Sequence, residues 1–96
     1  QTTCFAVNDA ADAAASRPRM AQAIARISAQ IAASKRFVGP DVRLVVLPEY
    51  FLTGFPMGEG AAAWADKAAL EMDGPEYAAL GEAARTSDVY LAGNAY

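Results

Sequence analysis

Residues 43–56 read Arg-Leu-Val-Val-Leu-Pro-Glu-Tyr-Phe-Leu-Thr-Gly-Phe-Pro, and this stretch decides the fold. Leu44 to Leu47 is four apolar residues without polar alternation, and Val42 to Leu47 reads as a strand. Such a run is expected where a strand is covered on both faces, as in sheets built from strand-helix-strand units. Glu49 then stands just past the strand's carboxyl end, which is where open α/β sheets place their ligand crevice.

Working back toward the N-terminus, Gly39-Pro40-Asp41 separates this strand from a helical pattern. Met20, Ile24, Ile27 and Ile31 recur at spacings of four, three and four. At about 100° per residue they fall within an arc of roughly 60°, an apolar stripe that packs on something flat. Pro18 suits a first helical turn, because its missing N–H is no loss there, and Arg17 before it is pushed out of the helical region. The alanine-rich Ala10 to Ala15 reads as a linker, and Thr2 to Val7 as a first strand closed by Asn8-Asp9.

Working forward, Gly54, Pro56, Gly58 and Gly60 mark a loop that is both aromatic and glycine-rich. Ala61 to about Leu70 reads as a helix carrying Trp64, and Pro75 to about Arg85 as a clearer one with Tyr77, Leu80 and Ala84 on one side. Val89 to Ala95 is a third strand. With the helical stretch from Ala61 to Arg85 counted as one connection, the order β-α-β-α-β predicts a layered α/β fold, in one domain spanning residues 1–96. An apolar strand with nothing after it suggests the N-terminal portion of a larger domain.

Composition narrows the chemistry. A chain that is 54% hydrophobic and 20% charged, with a net charge of -3, is globular and carries no basic stripe for a phosphate backbone. No nucleic-acid partner is expected. With no membrane-length apolar run and no secretory start, the expectation is no membrane and a cytoplasmic location. The chain has no histidine and one cysteine, Cys4. That excludes Ser-His-Asp and Cys-His nucleophile activation, most zinc sites and an internal disulfide. No metal or other cofactor is called for.

Glu49 has two readings on these grounds. It is either a solvated loop acid, or a carboxyl whose apolar neighbours Leu47, Pro48, Tyr50, Phe51 and Leu52 keep water away and favour the protonated form, as suits a general base. Cys4 reads as a half-buried small hydrophobe in the first strand, Lys67 as a solvated surface lysine, and Trp64 and Met57 as core.

The stretch from Asp41 to Pro56, with the helix Met20 to Ala33 before it and Gly74 to Tyr96 after it, resembles the N-terminal third of the nitrilase superfamily of carbon-nitrogen hydrolases. The specific part is a strand ending in Leu47-Pro48-Glu49, then an aromatic, then Thr53-Gly54 and a second aromatic. The resemblance implies a four-layer α-β-β-α sandwich and hydrolysis of a non-peptide C–N bond in an amide, nitrile or carbamoyl compound. It implies a Glu, a Lys and a Cys acting through a thioester acyl-enzyme, with Glu49 as the general base. Tyr50 would line the acyl pocket, the substrate would be a small molecule, and the assembly a homo-oligomer.

The family's Lys and Cys fall beyond the last strand of this chain, so the 96 residues alone are expected to be inactive. Gly54-Phe55 stands where the family often has Gly-Tyr, and Asn8 where it often has glutamine. A small α/β binding module without catalysis is the alternative. A nucleotide-binding domain is disfavoured, because no G-x-G-x-x-G or P-loop follows an early strand.

Overall fold

A computed structural model describes residues 4–95. In chain order the elements are α1 (Ala13–Phe37), β1 (Leu44–Glu49), α2 (Ala61–Ala68), α3 (Pro75–Thr86) and β2 (Tyr90–Asn94). The α/β class stands, but the order among the described residues is α-β-α-α-β rather than β-α-β-α-β. They build one helical layer on a two-stranded sheet, without the expected four-layer sandwich.

The first strand is absent over residues 4–7. Val7 gives its N–H to the Thr53 carbonyl (2.9 Å), and the chain then turns, Ala10 N–H reaching back to the Val7 carbonyl (2.9 Å). A single cross-chain bond followed at once by a turn leaves no ladder. Thr2 and Thr3 lie outside the described residues.

Helix α1 begins well before the expected start, because Asp12 caps it: the Asp12 carboxylate accepts from Ala15 N–H at 2.9 Å. Ala13 to Ala15, the second half of the expected linker, are strong helix formers, and with that cap they become the first turn. Pro18 therefore sits inside the helix and Arg17 is helical, contrary to expectation. The cost is one missing bond near the N-terminal end, to the Ala14 carbonyl. Lys35 and Arg36 in the last turn complement the helix dipole.

The predicted stripe is the core. Met20, Ile24, Ile27 and Ile31 are all buried, and they cluster with Val7, Leu47, Phe51, Leu52, Trp64 and Ala68. In helix α3, Leu80 packs against the core and Ala84 is half-buried on one side, as expected, whereas Tyr77 does not join them. Glu76 and Ala83 are buried in it while Tyr77 is exposed, and Glu76 faces Arg17 of α1 with an N–O distance of 3.5 Å. Arg17 also donates to the Ala69 carbonyl (2.8 Å), joining α1 to the end of α2.

Strands β1 and β2 pair in parallel, Leu44 with Tyr90, Val45 with Leu91 and Val46 with Ala92. The connection through α2 and α3 makes a strand-helix-strand crossover. The expectation that β1 is covered on both faces is not met. Leu47 is 8% exposed on the helical side, whereas Val46 is 70% and Tyr90 78% exposed on the other. Among the described residues no helix is long and apolar enough to cross a membrane.

Candidate active site

The strand does not stop before Glu49; Glu49 is its last residue, opposite Asn94 of β2 after a register slip that starts at Val46. The parallel pairing thus carries the carboxylate to the shared carboxyl end of the sheet. The residue after it makes the turn. Tyr50 has φ 52, the left-handed region that costs a bulky residue about 1–2 kcal/mol. Its carbonyl accepts from both Thr53 N–H (3.1 Å) and Gly54 N–H (2.9 Å), closing a tight loop.

Phe51, Leu52 and Thr53 are buried, so the turn is pulled into the core by its middle. Gly54 is required on two counts. Its φ is 74, and a Cβ there would lie 2.6 Å from the Ala6 Cβ. The loop is then held on its far side, where the Asn8 side-chain amide donates to the Phe55 carbonyl at 2.8 Å. Tyr50 and Phe55 meet edge to face, with centroids 5.3 Å apart and planes at 71°.

Glu49 itself is exposed. The water-poor setting expected from its neighbours is not built by these residues, because Leu47, Phe51 and Leu52 turn inward and Pro48 is exposed beside it. Apolar neighbours in sequence are not neighbours of the carboxylate when the strand alternates. Tyr50, next in sequence, is half-buried with its ring against Phe55.

A model of the carbon-nitrogen hydrolase family matches residues 4–96. The chain belongs to the carbon-nitrogen hydrolase family. No curated protein and no solved structure matches the chain. Glu49 lies within the matched residues, at the carboxyl end of β1.

The other residues singled out by sequence are elsewhere. Cys4 is exposed rather than half-buried, since no strand forms around it. Trp64 is core, as expected, but Met57 is exposed in the loop. Lys67 is not a solvated surface lysine. Its side chain is only 12% exposed, and its Nζ donates to the carbonyls of Asn8 (2.6 Å) and Ala10 (3.1 Å) and pairs with Glu59 at 3.5 Å. Backbone N–H donors, including that of Met57, hold the Glu59 carboxyl below the usual carboxylate range, with a smaller contribution from Lys67. Asp9 is also held below the usual carboxylate range, but by the Arg19 side chain, first through its hydrogen bond and then through its charge.

Lys67 therefore ties α2 to the segment before α1. Neither this tie nor the Asn8 bond to Phe55 was signalled by sequence, because both span more than 45 residues and end on backbone carbonyls, which carry no residue code.

Proposed function

We propose that this chain carries the general base of a carbon-nitrogen hydrolase that cleaves an amide, carbamoyl or nitrile C–N bond, and that Glu49 is that base. The observation that carries the reading is the position of Glu49: an accessible carboxylate at the carboxyl end of β1, within the residues matched by the family model. By the family's pattern the nucleophilic thiol and the cationic lysine come from sequence outside these residues; here Cys4 is in the N-terminal segment, Lys67 is committed to Asn8, Ala10 and Glu59, and Lys35 near the end of α1 donates to the Asp88 carbonyl. The 96 residues alone are then inactive.

With an amide substrate the reaction passes through a thioester acyl-enzyme. The thiol sulfur attacks the carbonyl carbon while its proton passes to Glu49, and the lysine stabilises the oxyanion. The tetrahedral intermediate collapses with breakage of the C–N bond, and Glu49 returns the proton to the departing amine. Water, losing a proton to Glu49, then attacks the thioester, releasing the acid and restoring the thiol. Tyr50, with Phe55 against its ring, forms one wall for the acyl group. The partners are the small-molecule substrate and further copies in a homo-oligomer.

The test is Glu49→Gln in the full-length protein, assayed by ammonia release from an aliphatic amide, a nitrile and an N-carbamoyl amino acid. A positioned base is worth about a hundredfold or more, so kcat falls at least that far while circular dichroism is unchanged. Turnover within threefold of the parent refutes the assignment.

A further inference from the structure

We infer that Asn8 is a positioning residue for Glu49, its side-chain amide latching the strained turn that follows the carboxylate. The inference rests on reading Glu49 as the general base. Four observations support it. Tyr50, directly after Glu49, sits at φ 52, a conformation that relaxes unless its surroundings over-determine it. The turn 50–55 is fixed to residues 6–8 by two hydrogen bonds, Val7 N–H to the Thr53 carbonyl (2.9 Å) and Asn8 Nδ2 to the Phe55 carbonyl (2.8 Å). Gly54 lies so close to Ala6 that the two segments have no slack between them.

The fourth observation concerns the latch itself. The Asn8 backbone carbonyl accepts from Lys67 Nζ at 2.6 Å, so its anchor is fixed to α2 rather than to a free chain end. A line of contacts runs from Lys67 through Asn8 to Phe55 and along the turn to Glu49. At the register slip between Val46 and Glu49 the ladder no longer sets the strand's direction unaided, and the turn must supply the constraint. A general base needs its oxygen within hydrogen-bond reach of the proton it takes, so freedom at Tyr50 is transmitted to the reacting distance.

The experiment uses the full-length protein with Asn8→Asp, which is isosteric but cannot donate when ionised, and Asn8→Ala as a second variant. Against the amide substrate, kcat drops about tenfold or more in both while KM stays within twofold, because Asn8 sets the base and does not touch substrate. Hydrogen exchange of the Gly54 amide quickens at least tenfold, and that of the Ile27 amide in α1 is unchanged. Unchanged kcat in both variants overturns the inference, as does loss of fold in both, which makes Asn8 a residue of the fold. If Glu49→Gln is inactive while the Asn8 variants are fully active, the latch fails and the base stands. If Glu49→Gln is active, both fail.

Discussion

The stripe of α1 and the run Leu44 to Leu47 of β1 are both four-residue apolar sets, yet the molecule treats them oppositely. Every member of the helical stripe is buried, while the strand run splits, Val45 and Leu47 turning toward the helices and Leu44 and Val46 toward the open side. The helix states its buried face through its period, so one neighbour suffices to cover it. A strand with no polar alternation states only that it wants two neighbours. The residues here supply one.

The largest effect that tests this contrast is at Ile27, which packs among Ile24, Ile31 and Leu47 in the core cluster. Ile27→Ala removes buried methyl groups and leaves a cavity, so urea denaturation should show a loss of about 2–5 kcal/mol. A loss under 1 kcal/mol would mean that the stripe is less firmly covered than its burial indicates, and the contrast with the strand would collapse.

Gly93 sharpens the comparison from the sheet side. Strand β2 turns Gly93 toward the covered face, where a Cβ would lie 2.9 Å from Phe51 Cε1 and 3.3 Å from Leu47 Cβ. The glycine leaves room for Phe51, the first buried residue of the turn after Glu49. Gly93→Ala forces that ring to move and costs about 1–3 kcal/mol, measured the same way. The same change at Gly81, which has nothing within 4 Å on the exposed side of α3, is the control and should be neutral or slightly stabilising.

These two positions also show what could be read before the structure. The α1 stripe, both strands of the parallel pair and the placement of Glu49 at a strand's carboxyl end came from local pattern: spacing, apolar runs and Gly-Pro breaks. What was misplaced depended on competition between signals. Pro18 alone points to a helix start because proline favours one, but the Asp12 cap and the alanines before it override that preference. Spacing puts Tyr77 on the side of α3 that carries Leu80 and Ala84, yet it is exposed, while Glu76 beside it is buried and faces Arg17. At the candidate site, the place of Glu49 at the end of β1 follows from local pattern. Its setting does not, because the Asn8 latch, the left-handed Tyr50 and the Lys67 tie arise from chain segments brought together only by folding.

The smallest effect on stability is expected at Val46, on the bare face. Its side chain lies opposite Ala92 and beside Leu44 and Tyr90, all exposed, so nothing in the chain is lost when it changes. Val46→Lys should leave the unfolding free energy from urea denaturation within about 0.5 kcal/mol of the parent, as for other surface substitutions. Its effect on association is the opposite. Leu44, Val46 and Tyr90 together form an apolar patch of the kind that associates, and a lysine in the middle of a sheet face is how such contacts are prevented. Sedimentation velocity over a range of concentrations should show the parent chain forming larger species that the lysine variant does not. A parent that stays monomeric throughout would mean that the bare face is tolerated in water, and the two apolar sets would then differ in position but not in their demand for a partner.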